Sequence, residues 1–347
     1  MHYIRVERRD AEKAKRKLIG SRLLDSRRSV EHSDSYVYFP THNISTKTIK
    51  KLIGRSAALV DRAPAQGKHQ TQIGFKDRMR AALSKKEYEA APKGYDIVGN
   101  IAIVDFPDSL KKNEKTIAQI IMDIHPHITT VLAKAGAVSG KYRTRKFRHV
   151  LGKKSFVTTY KESGCVFEFD VRKTFFSNRL AFERARIAGL VKDKENVVVM
   201  FSGVGPFVIL IAKKHPRANV VGMELNKSAH ASALRNMALN RTANATAELG
   251  DVRKLARKYR NFADRIIMPL PKESLSFLDE VKQIAKKRAV VHLYAFGKSA
   301  SAYDDAIAVI RKHAEAKGYR VRVVSKRVVR PYSAEDVEVV IDYMLEK

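Results

Sequence analysis

The sequence predicts an α/β protein in which a mostly parallel sheet, closed by a C-terminal antiparallel hairpin, follows two small α+β domains. Three observations predict it. From Arg184 onward, helical and strand-like patterns alternate regularly, as successive βαβ units do. Inside that region, residues 196–226 (NVVVMFSGVGPFVILIAKKHPRANVVGMELN) run from apolar strand through a glycine turn and apolar helix to a second strand ending in a carboxylate. The last two strand-like runs are joined only by Arg330-Pro331-Tyr332-Ser333. That is too short for a parallel crossover, so they must pair antiparallel.

In chain order, residues up to about 60 mix a basic helical stretch (9–18) with short β-like runs such as Tyr36-Val37-Tyr38-Phe39, giving a small α+β module. Residues 61–76 are rich in Ala, Gly, Gln, Lys and Pro, lack apolar periodicity, and read as a linker. A helix is expected over 78–89. A strand-turn-strand over 97–104, a helix over 113–124 and strands over 129–132, 155–160 and 165–169 make a second α+β unit. Its basic tract, Lys141-Tyr142-Arg143-Thr144-Arg145-Lys146-Phe147-Arg148, interleaves cations with aromatics, as a surface facing phosphates and bases does. A solvated loop is the plainer alternative. Strands are then expected at 197–201, 220–224, 246–249, 265–268, 290–296, 320–329 and 337–345, helices separating the first six. The domain limits that follow are 1–62, 77–172 and 173–347.

The chain has 347 residues, 68 of them Lys or Arg against 36 Asp or Glu, a formal charge of +32. Self-repulsion on that scale makes most sense beside a polyanionic partner, and nucleic acid leads. An anionic membrane is disfavoured: there is no lipidation motif and no apolar run long enough to cross a bilayer. Cys165 is the only cysteine, which removes internal disulfides and cysteine zinc sites and points to a reducing, cytoplasmic setting. The histidines show no ligand spacing, His125 and His127 included, so no metal is expected. A monomer is expected.

The turn Gly203-Val204-Gly205 lets main-chain N–H groups approach a ligand that no Cβ obstructs, and Pro206 opens the helix. Dinucleotide folds add a third glycine for close helix–strand packing; here Val208 stands in its place. S-adenosylmethionine (SAM) carries no pyrophosphate, so the shorter turn suits it better. Ligands of such sheets sit beyond the carboxyl ends of the strands. Those ends carry Phe201-Ser202-Gly203, Glu224-Leu225-Asn226, Gly250-Asp251-Val252 and Met268-Pro269-Leu270-Pro271. Glu224 suits a ribose diol and Asp251 an adenine amine, although each is also an ordinary turn or cap residue. The domain therefore reads as a Rossmann-like, class I SAM methyltransferase.

Phe201-Ser202-Gly203-Val204-Gly205-Pro206-Phe207, together with Phe176-Ser177-Asn178-Arg179-Leu180, Glu183-Arg184-Ala185-Arg186, Arg143-Thr144-Arg145 and Gly250-Asp251-Val252-Arg253, resembles the archaeal and eukaryotic tRNA guanine-N1 methyltransferases that modify position 37. The resemblance covers most of the chain. It implies tRNA as partner, SAM as cofactor, Glu183 as the general base that removes the N1 proton, and Arg143 as the donor to O6. It further implies cofactor contacts from Arg184, Phe201, Gly203, Gly205, Glu224, Leu225, Asp251, Val252 and Pro269, and RNA contacts from Phe175, Arg145, Lys146 and Arg148. Without the resemblance, Glu183 reads as an i,i+3 partner of Arg186 on a helix. Two positions depart from the family pattern: Pro269 replaces an asparagine, and Phe175 stands where tyrosine is common. Some archaeal branches also methylate the tricyclic wyosine precursor at the same nucleotide, and the Pro269 departure makes that second activity an expectation here. Two alternatives remain open: a related aminocarboxypropyl transferase, and a basic tRNA-binding protein with a vestigial SAM pocket.

Overall fold

The computed structural model describes residues 2–347 other than 22, 26–27, 29, 34, 43, 55–56, 62–73, 138–139, 300 and 334. Most of the linker expected at 61–76 lies outside the described residues. The chain forms two compact units, one of residues 1–135 with 147–155 and one of 136–146 with 156–347.

In the first unit, β1 (Tyr3–Glu7), α1 (Ala11–Gly20), β2 (Glu31–His32), β3 (Tyr36–Pro40), α2 (Thr46–Leu52) and β4 (Ala58–Val60) build an antiparallel sheet of order β2-β3-β1-β4. Ile4, Val6, Leu18, Phe39 and Ile49 form its core. The helix expected over 78–89 is two helices, α3 (Phe75–Ala82) and α4 (Lys85–Ala90). The break is a capping box: the Ser84 backbone N–H donates to Glu87 Oε2 at 2.7 Å while Glu87 N–H donates to Ser84 Oγ at 3.4 Å. A second sheet, of order β5-β6-β7-β8, combines β5 (Asp96–Val98), β6 (Ile101–Val104), β7 (Thr130–Lys134) and β8 (Phe147–Gly152), with α5 (Glu114–Ile124) packed on it. No strand was legible at β8, where the exposed Arg148 interrupts the apolar alternation of a half-buried edge strand.

The second unit opens with the hairpin β9 (Val157–Glu162) and β10 (Cys165–Asp170), whose turn residues Ser163 and Gly164 have φ of 49° and 74°, as a type I′ turn requires. The sequence reading assigned this hairpin to the middle domain. It packs instead on the unit that follows, because two side-chain amides of α8 (Lys227–Asn240) pair with its edge. Asn236 Oδ1 accepts from Glu168 N–H at 2.7 Å, and Asn240 exchanges two bonds with the Val166 backbone at 2.9 and 2.6 Å.

After α6 (Ala181–Leu190) comes the seven-stranded sheet of β11 (Asn196–Met200), β12 (Asn219–Glu224), β13 (Ala245–Leu249), β14 (Ala263–Met268), β15 (Ala285–Lys298), β16 (Arg320–Pro331) and β17 (Asp336–Glu346). Its order is β13-β12-β11-β14-β15-β17-β16. The first five strands pair in parallel, and β17 is antiparallel to both β15 and β16. Helices α7 (Pro206–Lys214), α9 (Val252–Leu255), α10 (Leu278–Ile284) and α11 (Asp304–Glu315) complete the unit. The expected strands are all present, as is the closing hairpin. Val197, Val198, Val199 and Met200 are wholly buried, since a central parallel strand is covered on both faces.

The close packing that a third glycine normally permits is supplied from the opposite side. A Cβ placed on Gly222 of β12 would lie 2.8 Å from Val208 Cγ2 and 2.9 Å from Ser202 Oγ. Val208 therefore keeps its side chain, and the strand beneath it gives the room.

Candidate cofactor and substrate site

One cleft open to solvent lies at the carboxyl ends of β11, β12, β13 and β14, entirely within the second unit. It brings together Phe201, Gly203, Glu224, Leu225, Asp251, Val252 and Pro269 with Phe175 and Arg143. Gly205, with φ of 88°, forms the N-cap of α7.

Each member is set by local structure. Phe201 leaves β11 with φ of 58°, a conformation costly for a side chain with a Cβ, and its ring meets Phe277 at 4.8 Å. Gly203 turns the chain so that its N–H donates to Glu224 Oε2 at 2.8 Å, while Asn226 N–H donates to Oε1 at 2.7 Å. Burial raises the Glu224 carboxyl above its usual range, opposed by those backbone donors. Glu224 makes no ion pair among the described residues, and its oxygens are engaged only by backbone N–H groups, which leaves lone pairs for hydroxyl donors in the cleft. This is the acceptor set that a ribose diol requires. Apolar walls of Phe201, Leu270 and Phe277 complete a nucleoside-shaped site. The residues present fit SAM.

Asp251 has a second duty: its Oδ1 accepts from Arg253 N–H at 2.9 Å and caps α9. Arg143 also has positive φ, 51°, and its guanidinium lies over the Phe175 ring at 5.2 Å. Two residues 32 apart in sequence thus meet at the cleft.

Three expected members do not line it: Gly205, which shapes the turn at the head of α7, and Arg184 and Glu183. Arg184 is buried behind the cleft: Nε and Nη2 donate to Glu162 at 2.7 and 2.5 Å, and Nη1 donates to the Ser177 carbonyl at 3.0 Å. It locks the β9–β10 hairpin to α6 and makes no wall of the cofactor site. Glu183 is 4 % exposed and does not line the cleft. Its carboxylate accepts from Arg186 Nε and Nη2 at 2.8 to 3.1 Å and from the Tyr294 hydroxyl at 3.1 Å. Arg186 Nη1 in turn donates to Asp342 at 2.6 Å. In the basic tract, Lys146 is exposed and Arg145 Nε is shielded with no hydrogen-bond partner. Arg148 belongs to the first unit, where it pairs with Glu114 at 2.6 Å, so its charge is already matched.

Glu273 and Phe277 of the cleft are not expected from the sequence, and Tyr142, Asn226 and Leu270 are placed by it in the basic tract or at strand ends without a role in the site. Asn226 carried a signal: a polar residue just before a helix, here the N-cap of α8. Phe277 carried none, because only the fold turns its ring under Phe201.

The parallel sheet with its antiparallel hairpin, the glycine turn and the carboxylate ending the second strand define a class I SAM methyltransferase. Residues 158–323 match the TRM5/TYW2 methyltransferase domain, 75–155 the TYW2 N-terminal domain, and 4–48 the tRNA methyltransferase 5 N-terminal domain. A Pyrococcus abyssi protein named tRNA (guanine(37)-N(1))-methyltransferase Trm5b is 37% identical over 252 residues, which cover 73% of this chain and 74% of that one. A Nanoarchaeum equitans tRNA (guanine(37)-N(1))/4-demethylwyosine(37)-methyltransferase, Taw22, is 30% identical over 293 residues, 69% of this chain and 96% of its own length. The crystal structure of Trm5b from Pyrococcus abyssi superposes with a TM-score of 0.72 at 30% identity, covering 100% of both chains. The chain belongs to the tRNA (guanine-37-N1) methyltransferase family, and its cofactor is SAM. Among the described residues no helix is long and apolar enough to cross a membrane.

Proposed function

We propose that the enzyme methylates N1 of guanosine 37 in tRNA, and that it also methylates the tricyclic wyosine precursor at that position. The observation that carries the reading is the convergence of Arg143 and Phe175 on the cleft that holds Glu224 and the glycine turn. When bound, SAM supplies an electrophilic methyl group. The Phe175 ring offers a stacking face for the target base. Arg143, fixed over that ring, is the donor to O6, where negative charge grows as N1 loses its proton; such a donor contributes about 3 kcal/mol in comparable oxyanion sites.

Glu183 is the proposed base. A proton arriving on its carboxylate would leave Arg186 without a counter-charge, were it not that Arg186 is held by Asp342 as well. The proton has to be carried to the first turn of α6, because that carboxylate faces inward. Glu183→Gln is expected to lower kcat by about 10²- to 10⁴-fold with SAM and tRNA binding retained; activity within a few-fold of wild type would remove Glu183 from the role. Arg145 and Lys146 are proposed to hold tRNA phosphates. The match to the dual-activity relative and the proline at 269, in place of an amide at the cleft wall, support the second substrate.

Nucleoside mass spectrometry of tRNA carrying guanosine 37 or the wyosine precursor, after incubation with SAM, tests both activities. A gain of one methyl on each is expected. An aminocarboxypropyl adduct would point to the related transferase, and an unmodified precursor would restrict the enzyme to guanosine.

A further inference from the structure

The outer edge of the large sheet carries an arrangement that the catalytic cleft does not use. On β16, Arg320, Arg322, Arg327 and Arg330 stand opposite Glu346, Met344, Val340 and Glu338 of β17. Residues directly opposite in a ladder point to the same face, so the four arginines share the face that also carries Asp342 and His292 and is covered by α6. The sequence spacing alone would not put them there. Arg322 and Arg327 are an odd number of residues apart, and so are Arg327 and Arg330. A regular strand would send Arg327 to the opposite face. Two β-bulges, between Val323 and Ser325 and between Val328 and Arg330, each insert one residue and restore the parity. The first brings Arg327 rather than Lys326 to this face, and Lys326 goes to the other, over Tyr303 at 5.2 Å.

Of the four, only Arg330 has a carboxylate partner, Glu338 at 2.6 Å. Arg320, Arg322 and Arg327 are exposed and have none among the described residues; Glu346, opposite Arg320, is engaged by Arg288 at 3.1 Å. Arg327 lies 5.6 Å above the ring of Phe182 on α6, and that ring is 68% exposed. Since β16 runs parallel to β15 and hence to β14, the stripe climbs toward the cleft end of the sheet. There Tyr332, 57% exposed, stacks on Phe296 at 4.3 Å.

We propose that this stripe is an RNA-binding track: Arg320, Arg322 and Arg327 hold consecutive backbone phosphates of the substrate tRNA, and Phe182 offers a stacking face beside them. The partner's chemistry follows from the surface. Unpaired guanidiniums in file along about 20 Å of strand suit a linear polyanion, and an exposed aromatic among them suits a nucleobase more than a protein carboxylate or a lipid headgroup. Cations on an edge strand can also serve only to block edge-to-edge pairing. That duty requires neither bulges that gather them on one face nor an exposed ring beneath one of them.

The inference rests on the proposal that tRNA is the substrate. The test is binding of full-length tRNA by the whole chain, as wild type, as Arg320→Gln/Arg322→Gln/Arg327→Gln, and as Phe182→Ala, at about 50 to 200 mM salt. The triple variant is expected to lose at least about tenfold in affinity at low salt. The slope of log affinity against log salt is expected to fall by about 2 to 3, at roughly 0.7 to 0.9 per phosphate contact. SAM affinity should be unchanged, which reports an intact fold. Phe182→Ala should lower affinity at every salt concentration and leave the slope alone. An unchanged slope in the triple variant overturns the track. Self-association of that variant with unaltered tRNA binding also overturns it and assigns the arginines to edge protection. Failure of the wild-type chain to bind tRNA overturns this inference together with the substrate reading, whereas wild-type methylation beside an unaffected triple variant overturns the track alone.

Discussion

Arg186 donates to two buried carboxylates at once, Glu183 and Asp342, and Asp342 continues the chain to His292 Nδ1 at 2.6 Å. His292 Nε2 lies 2.7 Å from Arg265 Nη1, and an arginine can only donate, so Nε2 accepts and Nδ1 carries the proton. Burial lowers the His292 pKa, consistent with that neutral form. Arg265 closes on Glu195 at 2.7 Å. Desolvation opposes ionisation of Asp342, but His292 and Arg186 outweigh it and hold its pKa at about 2, against an ordinary 3.8. A depressed carboxyl gives stability that is complete above its unfolded value and lost as pH falls through the folded one. Asp342→Asn is therefore expected to cost about 3 to 5 kcal/mol at pH 7, and denaturation in urea should show that difference shrinking between pH 3.8 and about 2. Glu224 has the opposite displacement, upward through burial, and the diol-binding role proposed for it calls for the ionised form. SAM affinity measured by calorimetry should thus weaken on acidification at a pH above that of an ordinary glutamate. Glu224→Gln should bind weakly without that dependence, and a wild-type affinity flat from pH 7 to about 4.5 would count against the diol role. From the sequence, Glu224 and Asp251 were legible because a strand end fixes where its last side chain goes. The surroundings of Glu183 were legible only as the i,i+3 pair with Arg186, since Tyr294 lies 111 residues from Glu183 and Asp342 lies 156 from Arg186.

At the scale of elements, the missing third glycine is the instructive case. Val208 argues against a dinucleotide turn as a matter of sequence pattern, yet the helix still lies close to the sheet because Gly222 has no Cβ to meet it. Gly222→Ala is expected to overpack this junction, at about 1 to 3 kcal/mol. Gly203 and Glu224 flank the same junction and are bonded to each other, so SAM affinity should fall with stability. A thermal melt and a cofactor titration of that variant check both, and unchanged values would show that α7 can move aside. The central strands β11, β12 and β14 were legible because a buried parallel strand has to be apolar along its length, and the edge strand β16 because its valines alternate with arginines at the start. The hairpin β9–β10 was legible as strands but not as to where it packs, since the asparagines that dock it lie some 70 residues away. The two bulges of β16 fall at the doubled valines Val323-Val324 and Val328-Val329, which interrupt the alternation without saying how it resumes. They depend on register against β17, which no local rule of spacing encodes.

For the whole molecule, the decisive fact is that the cleft is complete within one unit. Residues 136–146 leave the neighbourhood of β7 and β8 in sequence yet belong to the second unit, and they bring Lys141, Tyr142 and Arg143 to the cleft. All other walls come from residues 175–277. A ligand that binds only the folded site stabilises it by about 2.7 kcal/mol at a hundredfold excess over Kd, and that stabilisation reaches only the segments whose opening exposes the site. Saturating SAM is therefore expected to slow amide exchange in the glycine turn, in the strand ends 224–226 and 250–253, and in 141–143. Residues 2–135 and 147–155 should exchange as before. If 141–143 also stays unaffected, Arg143 is not ordered by the cofactor, and its proposed role at O6 then depends on ordering by the RNA. If protection spreads through β1–β8, the two units open together and the cleft is coupled to the whole chain. The first of these outcomes would leave the cofactor cleft as described and move the ordering of Arg143, the proposed O6 donor, from cofactor binding to tRNA binding.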